Sequence, residues 1–189
     1  ASGVSVKQGA SFGATANSVV NPAIQPKCTV ADSPRIALVL DNSTSISSGD
    51  WTTFRNALVQ GDDSVLGILE DTNAAVSVLR FGDTAAWLYG ASGPASVATN
   101  RAAIAASIPL ASPGGRTNWD DALSTIQVVN AAHKYDLVVF ITDGAPNSIL
   151  SSAAEVESYN VTLRSIEAPI YAANAIKKAG TRVVAVGVG

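Results

Sequence analysis

The stretch from Arg35 to Ser45 constrains this chain more than any other, reading Arg-Ile-Ala-Leu-Val-Leu-Asp-Asn-Ser-Thr-Ser. Ile36 to Leu40 is an apolar run too short for a helix and aliphatic enough for a strand buried on both faces. It then turns abruptly into oxygen-bearing side chains, with Asp41, Ser43 and Ser45 spaced two apart. A strand ending in Asp-x-Ser-x-Ser presents one carboxylate and two hydroxyls at the carboxyl edge of a sheet. That edge is where open α/β sheets hold their ligands. Hard oxygen donors converging without His or Cys suit Mg²⁺, Ca²⁺ or Mn²⁺ better than zinc.

The rest of the chain supplies the sheet and its covering. Gly49-Asp50 opens a helix through Trp51, Phe54, Leu58 and Val59, with Asp50 as its expected N-cap, and Ser64 follows Asp62-Asp63 into a second helical piece. Ala75 to Phe81 reads as a strand, and Gly82-Asp83 turns tightly into Ala85 to Tyr89, an antiparallel edge strand. Residues 91–96 read as loop and Asn100 to Ile108 as an Ala-rich helix. Gly114-Gly115-Arg116-Thr117 forms a loop before a helix from Trp119 to Ala132, whose expected apolar face is Leu123, Ile126, Val128 and Val129. Leu137 to Ile141 is a second apolar strand, ending in Thr142-Asp143-Gly144. A helix over Ala168 to Ala179 and a third buried strand, Arg182 to Val186, complete the pattern. Strands alternating with helices predict a doubly wound, mostly parallel α/β sheet with one antiparallel edge strand. Residues 1–34, rich in Gly, Ser, Asn and Pro, read as an extended lead-in or the edge of a flanking domain.

Composition narrows the function. The 189 residues suffice for one α/β domain, and a net charge of −3 with no Lys/Arg cluster argues against a nucleic-acid partner. No apolar run reaches membrane-spanning length. Cys28 is the sole cysteine, either a buried thiol or half of a disulfide with a partner outside the segment. Gly9-Ala10-Ser11-Phe12-Gly13 fits a hydrolase nucleophile pattern but lacks the strand and helix of the elbow, and His133 is the only histidine available as its base. Asn42-Ser43-Thr44 and Asn160-Val161-Thr162 match a glycosylation sequon by chance. An EF-hand loop starting at Asp41 fails, because Ile46 stands where Gly is required and Thr52 where Glu is required. A dehalogenase-type phosphotransferase would need a second acid at the position of Ser43.

Three loops therefore converge: Asp41, Ser43 and Ser45 after one strand, Thr117 before a helix, and Asp143 after another strand. Each residue alone is a common turn former or cap. Together, in this order, they resemble the metal-ion-dependent adhesion site of the von Willebrand factor A family, from about Pro34 to the chain's end. The resemblance implies that Ser43, Ser45 and sometimes Thr117 bind the metal directly, while Asp41 and Asp143 often act through waters. It implies Mg²⁺, with Mn²⁺ or Ca²⁺ as alternatives, and a Glu or Asp carboxylate from a protein partner completing the shell. It also implies an extracellular, cell-surface-anchored module that binds a host or matrix protein, as in Gram-positive surface or pilus-tip adhesins, and no enzymatic activity. The alternatives are an intracellular A domain of a chelatase-like machine and, more remotely, a hydrolase. In the family a further strand and a final helix follow the strand that ends here, so an incomplete carboxyl-terminal end is expected.

Overall fold

The computed structural model describes residues 33–111, 114–149 and 161–188. Ser11, Cys28 and Asn160, and all but the end of the expected lead-in, lie outside the described residues. In chain order the elements are β1 (Arg35–Asp41), α1 (Ser48–Val59), α2 (Val65–Glu70), β2 (Ala75–Phe81), β3 (Ala85–Tyr89), β4 (Ala95–Ser96), α3 (Val97–Ser107), α4 (Trp119–His133), β5 (Leu137–Thr142), α5 (Leu163–Lys178) and β6 (Arg182–Gly187). They form one sheet in the order β3-β2-β1-β5-β6, with the two-residue β4 pairing β2 antiparallel. β1, β2, β5 and β6 are parallel, and β3 runs antiparallel against β2. This is the doubly wound α/β architecture that the alternating pattern predicts.

β1 lies at the centre, and its side chains divide between two cores. Ile36, Leu38 and Leu40 face a cluster with Trp51, Leu58, Leu66, Val76, Val78 and Ile104, covered by α1, α2 and α3. Ala37 and Val39 face Leu79, Phe81, Ile126, Val138, Phe140 and Ile176, covered by α4 and α5. Period-two alternation with a helical layer on each side explains why the run has no polar positions. Phe81 stacks on Phe140 with ring centroids 5.0 Å apart, and each such fully buried side chain contributes roughly 1.5–3 kcal/mol.

Local chemistry sets the element ends, and here several expectations are corrected. Ser47, not Asp50, is the N-cap of α1: its Oγ accepts the Asp50 N–H at 3.2 Å and donates to Asp50 Oδ2 at 2.6 Å. α3 starts at Val97, because β4 pairs with β2 and delivers the chain directly into the helix. In α4 the buried residues are Ala122, Leu123, Ile126 and Asn130, while Val128 is exposed, since it falls on the opposite side of the helical turn. α5 begins at Leu163, where Thr162 and Ser165 form a reciprocal capping box, and continues through the buried Pro169.

β6 also departs from its expected burial. Val184 and Val186 are 42% and 38% exposed. Among the described residues β6 pairs only with β5, and α5 covers just one of its faces, where Val183 packs.

Behind the sheet, buried Tyr135 donates its hydroxyl to Ser77 Oγ at 2.9 Å, and Ser77 in turn donates to the Gly90 carbonyl at 3.0 Å. Burial pushes the Tyr135 phenol above the ordinary tyrosine range, with the Ser77 contact pulling the other way. The folded state thus keeps a proton that the unfolded chain releases near pH ~10. Stability from this group is present below that value and is lost as pH rises through the folded pKa. Tyr135→Phe is expected to lose about 1 kcal/mol at neutral pH and to flatten the alkaline fall in stability. Urea denaturation of both proteins between neutral and strongly alkaline pH measures this.

Candidate metal centre

The parallel register of β1 and β5 places Leu40 beside Ile141, so Asp41 emerges next to Thr142 and Asp143 at the carboxyl edge. Asp41 Oδ1 accepts the Ser43 N–H at 2.9 Å, a turn that folds the chain back over the strand end. Ser43 Oγ and Ser45 Oγ are then 2.8 Å apart, and Ser45 Oγ donates to Asp143 Oδ1 at 2.8 Å. Because a serine hydroxyl has one proton, Ser43 is the donor to Ser45. Asp41, Ser43, Ser45 and Asp143 are thus linked in one hydrogen-bonded chain across two strand ends.

The second oxygen of Asp41 accepts from Thr142 Oγ1 at 2.6 Å, and Trp119 Nε1 donates to that same Thr142 hydroxyl at 3.3 Å. Trp119 packs edge-on against Phe140, with ring centroids 5.7 Å apart. Trp119 is half-buried there, at the start of α4.

Thr117 arrives on a different loop, held backbone to backbone. Gly114 and Gly115 have φ of +81° and +111°, a region open chiefly to glycine. The Gly114 N–H donates to the Asn42 carbonyl at 3.2 Å, and the Thr44 N–H donates to the Gly115 carbonyl at 2.9 Å. Asp83, on the β2–β3 turn, accepts the Arg116 N–H at 3.0 Å, and the Asn118 N–H reaches the Gly82 carbonyl at 3.2 Å. A Cβ at Gly82 would stand 2.6 Å from the Gly114 carbonyl oxygen, so the two loops touch through glycine. Thr117 itself is buried, its N–H donating to Asn147 Oδ1 at 2.8 Å and its carbonyl accepting the Asn147 N–H at 3.0 Å. Its hydroxyl takes no part in the Asp41-to-Asp143 chain.

Burial raises the Asp41 carboxyl above its ordinary value; the Thr142 and Ser43 bonds oppose that, and neighbouring Asp143 adds to it. Among the described residues the ion pairs are those of Arg101 with Asp62 and Glu70, so neither Asp41 nor Asp143 has a basic partner. The two carboxylates and the Ser43 and Ser45 hydroxyls, without a protein cation, are a set of oxygens whose chemistry suits a hard divalent ion. Among the described residues there is no group of three or more His, Cys, Asp or Glu that could hold a metal ion, so hydroxyls would have to supply part of any coordination here.

Other sequence candidates fall elsewhere. Asn42 is fully buried, which leaves its sequon inaccessible. His133 closes α4 at the end opposite Trp119, about 21 Å away along the 1.5 Å rise per residue. Sequence reasoning missed Thr142, Asn147 and Asp83, which act by placing oxygens on neighbouring groups. The one advance signal was that all three sit within a few residues of Asp143 or the β2–β3 turn.

A comparison with family models matches the von Willebrand factor type A domain over residues 36–189. The chain belongs to that family. A comparison with curated proteins gives no significant match. Among solved structures, this von Willebrand factor A domain is similar to proximal thread matrix protein 1 from the mussel byssus, at 23% identity and TM-score 0.59, over 85% of this chain and 37% of that one. It is similar to the pilus adhesin SpaC from Lactobacillus rhamnosus GG, at 16% identity and TM-score 0.60, over 82% and 24%. It is also similar to the PilB minor pilin from Streptococcus sanguinis, at 21% identity and TM-score 0.54, over 70% and 35%. The chain therefore spans between about a quarter and two-fifths of the length of these proteins. The mussel protein has also been solved with a zinc-occupied MIDAS motif.

Thr142→Val keeps the shape of the side chain and removes the hydroxyl shared by Asp41 and Trp119. It is expected to lower stability by about 1–3 kcal/mol, because two buried polar groups lose a partner. Chemical denaturation of the metal-free protein measures the loss, and Thr142→Ser should recover most of it.

Proposed function

We propose that this von Willebrand factor A domain is an extracellular, surface-anchored adhesion module. In this reading it binds a protein partner through a divalent cation, Mg²⁺ by preference and Mn²⁺ or Ca²⁺ as alternatives. The observation that carries the reading is the chain of hydrogen bonds from Asp41 through Ser43 and Ser45 to Asp143, at the edge where open sheets bind ligands. The pilus proteins among the structural neighbours, and the MIDAS motif of the mussel protein, support it.

In this proposal the hydroxyls of Ser43, Ser45 and Thr117 hold the cation with Asp143. Both oxygens of Asp41 already accept protein hydrogen bonds, which suits Asp41 to act through water. Bound there, the cation would supply a Lewis-acidic position for a Glu or Asp oxygen of the partner. Neutral hydroxyls leave part of its charge unbalanced, which favours an anionic partner group. The Asp41–Thr142 bond and the loop around Thr117 keep the donors pre-arranged, so little ordering is required on binding. The proposed partner is a host or extracellular-matrix protein, and the chemistry is binding rather than catalysis.

Asp143→Asn is expected to lower Mg²⁺ affinity about 10–100-fold while the thermal unfolding of the metal-free protein stays cooperative. Thr117→Ala should weaken Mg²⁺ binding less than Asp143→Asn and weaken adhesion more than it weakens Mg²⁺ binding. Calorimetry with Mg²⁺, followed by retention of domain-coated beads on a panel of matrix proteins with and without EDTA, tests both. Adhesion that persists undiminished in EDTA would show the cation bridge to be wrong.

A further inference from the structure

The end of β5 and the loop after it reach three separate parts of the site. Thr142 donates to Asp41, Asp143 accepts from Ser45, and Asn147 exchanges two hydrogen bonds with Thr117. The last contact is the one without a counterpart. The backbone N–H of Thr117 ends on the side-chain oxygen of Asn147, and its carbonyl ends on the Asn147 N–H. Thr117 is 3% exposed, so water is a poor substitute for either bond. The other restraints on this loop fall on Gly114, Gly115, Arg116 and Asn118, bracketing Thr117 without touching it. The two positive-φ glycines just upstream are themselves tied to Asn42 and Thr44, so the hydrogen bonds that bear on the Thr117 backbone directly are those of Asn147.

We propose that Asn147 is the positioning residue for Thr117. It sets where the Thr117 hydroxyl stands and ties that place to the loop bearing Asp143. Asn147 does not touch the cation; it acts only through Thr117. A side-chain amide suits the task, since its oxygen accepts the Thr117 N–H without carrying a charge against the buried loop. The proposal rests on the reading of Thr117 as a donor to the metal.

Two measurements test it. Hydrogen exchange of the metal-free protein, followed by NMR, reads the Thr117 amide directly. Asn147→Ala is expected to speed exchange there about tenfold, the equivalent of roughly 1.4 kcal/mol of lost protection, while β1 and β5 amides stay protected. Asn147→Asp retains an acceptor oxygen and should retain the protection. Calorimetry with Mg²⁺ alone then compares Asn147→Ala, Thr117→Ala and the double variant. Acting through Thr117, Asn147→Ala weakens Mg²⁺ binding no more than Thr117→Ala does, and the double variant matches Thr117→Ala. Wild-type exchange at Thr117 in Asn147→Ala, equal loss of protection in the Ala and Asp variants, or additive losses in the double variant would overturn the proposal. If exchange responds as expected but Thr117→Ala binds Mg²⁺ like wild type, then Thr117 is not a donor. The proposal then falls with that reading, while the Asn147–Thr117 contact stands.

Discussion

The double-sided pairing of β1 is the constraint on which the rest depends. Its seven residues pair in register with β2 from Arg35 to Asp41, and its core also pairs with β5. A slip of one residue against either neighbour would exchange the two core faces, moving Ala37 and Val39 into the layer built for Ile36, Leu38 and Leu40. It would also carry Asp41 away from Thr142. The position of the carboxylate is therefore set by packing many residues away from it, and the loop chemistry is built on a rigid end point.

What was legible in the sequence follows from the same physics. A strand buried on both faces is apolar nearly throughout, so β1 and β5 stood out with nearly their true limits, and β2 did so despite Ser77 and Arg80. β6 has the same kind of sequence, but the number of neighbours a strand has is not written in its own residues, and Val184 and Val186 are exposed. Ser47 and Asp50 are both good N-cap formers, three residues apart. The choice between them was decided by a reciprocal pair of hydrogen bonds that composition does not reveal. The start of α5 was hidden because Pro169 invites the reader to begin a helix there, whereas the capping box lies upstream at Thr162 and Ser165.

At the candidate site, residue type and strand-end position were enough to nominate Asp41, Ser43, Ser45, Thr117 and Asp143. The hydrogen bonds among four of them depend on the β1–β5 register, which no spacing rule supplies. Thr142 read as the first polar residue after a strand, and Asn147 as one of the residues between that strand and the next helix. Their value lies in where one oxygen stands relative to a distant group, not in what kind of residue they are. Trp119 could be read equally as a rim aromatic or a packing one, and the structure has it half-buried against Phe140 and the Thr142 hydroxyl.

Buried Asp41, with hydroxyl and amide partners but no basic side chain, has a consequence for how the domain can change over time. An ionised carboxylate held out of water weighs against the folded state, so substitutions that neutralise it tend to make the empty domain sturdier. Selection for robustness alone would erode such a residue, whereas selection for the proposed cation binding would keep it. A copy of this fold released from that duty would be expected to lose Asp41 first, while the apolar residues of β1 persisted.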